Sequence, residues 1–278
     1  MATLDDTETA GDESGAGLAD NLLGDGPLVT ANSFRWVVGF VVPALVVVAW
    51  HALVVTGVFA QHQLPLPASV VETLVAMTAS GELLGHVSIT VQRVAVGVVL
   101  GVTVGIGFGI LTGLFPLAND LLDPLLQSMK NIPSLAWVPL FLLWFGVGEF
   151  AKVTLIALGA FFPVYLNLST GIRDVDDELL EVVEVYDVGR LAALRKVVFP
   201  AALPALLVGI RGGVGLAWMF VVAAELIAAS EGIGFLLSDG RVLARPDVIV
   251  SSILLFAFFG NLSDLGVKAI EKRVVYWT

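Results

Sequence analysis

The feature that most constrains this chain is a series of apolar runs, all but one about 20 residues or longer and almost free of charge. A helix rises about 1.5 Å per residue, so a run of about 20 residues crosses the roughly 30 Å of hydrocarbon in a bilayer. The runs are Trp36 to Val58, Ser88 to Leu114, Leu135 to Val147, Val153 to Gly171, Leu203 to Ala228 and Val248 to Val267. Charged residues make up only 14% of the chain, where a soluble domain carries about a quarter. The reading is an all-α polytopic membrane protein with about six transmembrane helices, and five crossings as the alternative. The third run is short and holds Pro139, so its helix is expected to begin near Leu125 and to kink at the proline.

Residues 1–30 differ in kind. They hold seven acidic residues before Pro27 and no Lys or Arg, without the basic n-region and apolar core of a signal peptide. They read as an acidic, disordered cytoplasmic tail, ahead of a transmembrane domain over residues 31–278. Orientation follows from cations, which cytoplasmic loops retain. With the N-terminus inside, the inner segments carry Arg35, Lys130, Arg173, Arg190, Arg195, Lys196, Lys268, Lys272 and Arg273, and the outer ones Lys152, Arg241 and Arg245. That asymmetry predicts a multi-pass protein of the cell membrane with both termini cytoplasmic. A net charge of -11 argues against a nucleic-acid partner.

Inside the spans, Gly97, Gly101, Gly105, Gly109 and Gly113 recur every four residues, which clears one helical face for close approach of another backbone. The groove serves either tight helix packing or a surface that slides during a conformational cycle. Arg93 and Arg211 lie near span ends, where they are expected to snorkel to the headgroups. Glu225 lies deeper, and either pairs with an arginine or braces an outer gate near Gly232 to Leu237. Trp137, Trp144 and Trp218 either line a route or anchor at the interface, where tryptophan is enriched.

The stretch between the fourth and fifth runs, GIRDVDDELLEVVEVYDVGRLAALRKVVFPAALPALLVGIR, is charged and faces the cytoplasm in this orientation. Asp177, Glu181 and Glu184 fall at helical spacing, with Leu180, Val182 and Val183 on an apolar side. A break at Asp187 to Gly189 precedes a second short helix carrying Arg190, Arg195 and Lys196, and Pro200 and Pro204 lead into the fifth span. A helix resting on lipid headgroups is one reading. Its acidic face favours a protein partner instead, because anionic headgroups repel it.

This stretch resembles the cytoplasmic signature of permeases in binding-protein-dependent ABC importers: E-A-A, a glycine, then an apolar-proline element. Glu181, Val182 and Val183 stand at the E-A-A positions, Asp187 stands where the glycine is expected, and Val197 to Pro200 close the pattern. Leu64 to Leu74, Asp123 to Glu149, Ala160 to Val182 and Gly215 to Leu237 resemble the branch importing nitrate, sulfonate, taurine or bicarbonate. The resemblance implies a type I ABC importer transmembrane fold with a core over about 86–270 and a coupling segment over about 174–200. Glu181, Val182, Val183, Tyr186, Asp187, Val188, Gly189 and Arg190 would dock an ATPase subunit. The implied partners are two ATPase copies, a second permease copy as a homodimer, an extracytoplasmic substrate-binding protein and membrane lipids. The implied work is import of a small solute by alternating access, driven by ATP hydrolysed on the partner.

No phosphate-loop motif occurs, so no nucleotide cofactor is expected in the chain itself. With no cysteine, and with His51, His62 and His86 scattered, no metal site or enzyme centre is expected. The competing function is a secondary transporter or channel working without ATPase subunits.

Overall fold

A computed structural model describes residues 32–176, 178, 179, 181, 185, 186 and 189–274 of the chain. The acidic tail therefore lies outside the described residues. Regular structure among the described residues is helical: α1 Asn32–Val55, α2 Pro67–Ala79, α3 Glu82–Leu114, α4 Pro116–Lys130, α5 Ser134–Phe145, α6 Glu149–Arg173, α7 Arg190–Ala193, α8 Phe199–Ala228, α9 Ile233–Val242 and α10 Pro246–Val274. A π-helical turn, Leu194–Val198, joins α7 to α8. The chain divides into two units at Val58. The first contributes α1, apolar over Val41–Val55. All the packing below belongs to the second.

The glycine ladder of α3 sets the centre of that unit. A Cβ at Gly97 would lie 2.5 Å from Ile156 Cγ2, one at Gly105 2.9 Å from Val164, one at Gly109 2.9 Å from Leu168, and one at Gly113 2.8 Å from Ile172. Whenever the glycine advances by four, so does its partner. The two helices are therefore parallel, and their backbones meet because the glycines present no side chain. Thr112 and Ser169 tie the seam at one end through a 2.8 Å hydrogen bond between hydroxyls. Helix α8 packs antiparallel on another face of α6, with Gly209 on Pro163 and Gly213 on Ala160. Helix α10 runs antiparallel to α8, with Trp218 donating to Ser263 at 3.1 Å.

Parallel packing of α3 and α6 has a topological consequence. The chain between them must travel back across the bundle, and α4 with α5 does so. Tyr165 donates to Asp123 at 2.7 Å, Leu126 clusters with Phe161 and Tyr165, and Val138 and Phe141 cluster with Leu155. The pair thus runs antiparallel to α6 along its length. Four helices, α3, α6, the helix through α8 and α10, are individually long and apolar enough to cross a membrane. Shorter apolar helices accompany them at Val41–Val55, Pro67–Ala79 and Leu135–Phe145.

The third span departs from expectation. In place of one helix from Leu125 kinked at Pro139, two helices meet at Asn131 to Pro133. Pro133 explains the break: it has no N–H to donate, and it drives the residue before it out of the helical region. Pro139 is accommodated within α5. Lys130, counted above among the loop cations, instead ends α4 at the depth of the bundle interior. Helix α3 also starts earlier than expected, at Glu82, because left-handed Gly81 (φ 79°) marks its N-terminus.

Candidate functional site

Two places concentrate polar chemistry: a charge network at the Glu149 end of α6, buried except for Glu149 itself, and the α6–α8 connection at its Arg173 end. In the network, α3 supplies His86, Thr90 and Arg93, one helical turn apart. The Arg93 side chain is only 4% exposed, and its guanidinium spans two carboxylates. It donates to Glu225 at 2.7 Å, to Glu149 at 2.6 and 2.7 Å, and to the Glu231 carbonyl at 2.7 Å. Lys152, also buried, donates to Glu149 at 2.8 Å. Two cations face two carboxylates, so the cluster is formally neutral. That neutrality offsets the desolvation that buried ions otherwise suffer.

Glu225 is the centre of this arrangement. Besides Arg93, its carboxylate accepts the Thr90 hydroxyl at 2.9 Å and the Gly234 N–H at 2.9 Å, a donor in the first turn of α9, where negative charge is favoured. Thr90 Oγ1 accepts the Ile233 N–H at 2.8 Å, and His86 Nδ1 accepts the Gly232 N–H at 3.0 Å. Three side chains of α3 and α8 therefore hold the start of α9. Gly232 has φ 121°, a conformation L side chains rarely adopt, and a Cβ there would lie 2.5 Å from the Glu225 carboxylate. Gly232→Ala is expected to cost about 2 kcal/mol or more, from strain and overpacking together. Thermal melting of the solubilised protein measures it.

Glu225 thus meets both the arginine and the Gly232–Gly234 turn. Arg93 does not snorkel: buried Glu225 holds it inside, while its other edge meets the exposed Glu149. Arg211 likewise pairs with Asp264 of α10, at 2.6 Å. The contributions of Thr90, Glu149 and Lys152 are not visible in sequence, because their partners lie far along the chain.

The tryptophans are dispersed. Trp137 sits in a cluster with Phe141, Leu155 and Phe220, and Trp218 in another with Ile156, Ala160 and Val221. Trp144 is exposed.

At the opposite end, Asp174 to Gly189 connects α6 to α7. Val175 is buried, whereas Val185 and Tyr186 are 81% and 76% exposed. Glu181 and Gly189 are exposed as well. Of the docking residues expected from sequence, Val182, Val183, Asp187 and Val188 lie outside the described residues, and Arg190 opens α7. Pro200 falls in the first turn of α8, where its missing N–H costs nothing.

Comparison with known proteins follows the same lines. The family described as binding-protein-dependent transport system inner membrane component matches residues 101–276. A Bacillus subtilis (strain 168) protein named for aliphatic sulfonates transport, as its permease, is 41% identical over 244 residues, covering 88% of each chain. The taurine transport system permease protein of Escherichia coli (strain K12) is 31% identical over 239 residues, 84% of this chain and 87% of its own. The nitrate import permease protein of Leptolyngbya laminosa is 32% identical over 190 residues, 68% of each. A solved structure of the MetNI methionine ABC transporter in inward facing conformations has a similar fold, with TM-score 0.57 and 18% identity over 67% of this chain and 93% of that one. With its glycine-seamed bundle and its apolar traversals, the chain belongs to the binding-protein-dependent transport system inner membrane components, as a multi-pass membrane permease.

Proposed function

We propose that this permease is the membrane subunit of an ATP-driven importer for a small anionic solute of the aliphatic sulfonate type. Two copies form the route, two ATPase subunits drive it, and an external binding protein delivers the solute. The relatives named above for sulfonates, taurine and nitrate support the solute class. The Arg173 end is assigned to the cytoplasm, because Arg173, Arg195, Lys196, Lys272 and Arg273 collect there. Both termini then lie inside, the acidic tail of residues 1–30 precedes the transmembrane domain, and the segment over about 174–200 couples to the ATPase.

One observation carries the coupling role. Val185 and Tyr186 are almost fully exposed within a charged connection outside the apolar helices. An aromatic ring and a branched apolar side chain, flanked in sequence by Glu184 and Asp187, form an anchor for a protein cleft and a poor one for anionic lipid. The charge network at the other end braces the outer gate, so alternating access is a rocking of the α3–α6–α8 bundle between that brace and the motor.

The test is co-purification in mild detergent with a co-expressed ABC ATPase subunit. Val185→Glu with Tyr186→Ala is expected to reduce the ATPase recovered by about ten-fold or more, as loss of an anchor residue does. ATP-dependent uptake of a labelled alkanesulfonate should fall in parallel. Uptake by the permease without any ATPase subunit, driven by an ion gradient, would instead establish a secondary transporter.

A further inference from the structure

Helix α4 is unlike the other traversals. Asp120, Asp123, Gln127 and Lys130 recur at steps of three, four and three, one continuous polar face. A second face carries Leu122, Leu126 and Met129, which join the cluster around Phe161 and Tyr165 of α6. A third carries exposed Leu117, Leu121 and Leu125, suited to lipid. Three faces with three chemistries require three surroundings. The polar one does not suit hydrocarbon, where ionisable side chains face water or each other.

Its depth follows from register. Asn119 accepts from Arg173, Asp123 accepts from Tyr165, and Met129 shares a cluster with Leu158. Lys130 therefore lies roughly 13 Å inward of the Glu149 end, at about 1.5 Å per residue. The polar face runs from that depth to the Arg173 end. The α4–α5 break at Asn131 to Pro133 falls at the head of the polar face, and irregular backbone at membrane depth belongs where protein buries it or where it lines a hydrated cavity. Lys130 and Asn131 are both exposed on the chain. Among the described residues no carboxylate lies within 4.0 Å of the Lys130 ammonium.

We infer that the polar face of α4 lines the cytoplasmic half of the solute route, and that Lys130, with the Asn131 carboxamide at the helix break, binds the anionic group of the solute in transit. This rests on the importer reading above for the identity of the solute. The ligand class is a small oxyanion headgroup, sulfonate or carboxylate, taking one ionic hydrogen bond from Lys130 and one neutral hydrogen bond from Asn131. Asp123 and Asp120 lie further along the same face toward the Arg173 end. Their negative charge opposes an anion along that stretch, so binding is confined to Lys130 and Asn131 and stays weak. A site that releases its ion is what passage requires.

The chain has no cysteine, so a single introduced thiol reports its own surroundings. In membranes holding the full chain, Asn131→Cys is expected to react with water-soluble methanethiosulfonates. Adding Lys130→Met should slow the anionic sulfonatoethyl reagent relative to a neutral one by about five-fold, the attraction of one nearby unit charge in partly hydrated surroundings. An unreactive thiol, or a ratio that Lys130→Met leaves unchanged, overturns the proposal: the face is then covered by protein or lipid. Separately, Lys130→Met should lower alkanesulfonate uptake by the assembled transporter about ten-fold, with Lys130→Arg restoring most of it, as loss of one charged hydrogen bond implies. Uptake unchanged in Lys130→Met also overturns it. A wild-type assembly that labels as expected yet imports no sulfonate contradicts the importer reading while supporting the hydrated, anion-attracting site.

Discussion

Replacing Glu225 with alanine is expected to abolish uptake and to remove most of the folded protein from the membrane. The substitution strips Arg93 of its fully buried counter-ion and leaves Thr90 and the Gly234 N–H without their acceptor. Breaking one side of a buried ion pair costs about 3–5 kcal/mol, against a total stability of about 5–15 kcal/mol for a typical domain. Glu149 still holds the other edge of the guanidinium, so the loss falls short of a fully isolated charge. Glu225→Gln should be intermediate, since an amide oxygen accepts from Thr90 or Gly234 while leaving Arg93 undercompensated. The diagnostic variant is the pair Arg93→Met with Glu225→Leu. It removes both buried charges together, and it should recover much of the stability that either single change loses. Thermal melting of the detergent-solubilised chain, followed by size-exclusion recovery, reads the series. Should Glu225→Ala melt within about 3 °C of wild type, equivalent to about 1 kcal/mol for a chain of this size, the network is not what holds α9 in place.

The second large effect is expected at the glycine seam. A Cβ at Gly101 would collide with the carbonyl oxygen of Ala157, a backbone atom that no rotamer change can move aside. Gly101→Leu should therefore push α3 off α6 and cost at least about 3 kcal/mol, the upper range for overpacking. Gly107 provides the control. It lies in the same helix, yet a Cβ there would meet nothing within 4 Å. Gly107→Leu is expected to leave folded yield and melting nearly unchanged. Equal losses at both positions would mean that contact with α6 is not what makes Gly101 costly to replace, since leucine has the better helix propensity.

These features differ in how far the sequence reveals them. The glycine ladder is legible because a period of four is a property of one helix. The apolar runs are legible because span length is set by the bilayer. The broken third traversal is harder, since its sequence shows one short apolar run and its partner, α4, is amphipathic enough to read as a loop. Only the parallel seam between α3 and α6 forces α4 and α5 across the bundle. Lys130 therefore reads as a loop cation by composition and takes its depth from register against α6. The charge network is the least legible. Arg93 and Glu225 are 132 residues apart, and nothing local to either distinguishes a paired ion from one that reaches for the headgroups. Gly232 illustrates the same limit: its need for a left-handed backbone and for space beside Glu225 arises only once α9 has docked.

The composition of α4 also bears on how the chain reaches its membrane during synthesis. Asp120, Asp123, Pro124 and Lys130 make this segment a poor substrate for lateral release from a translocon, since each such charge adds about 2.5–3.5 kcal/mol to insertion near a helix centre. Its apolar face finds its partner only when α6 emerges. Stable insertion of α4 and α5 is therefore expected to depend on the presence of α6.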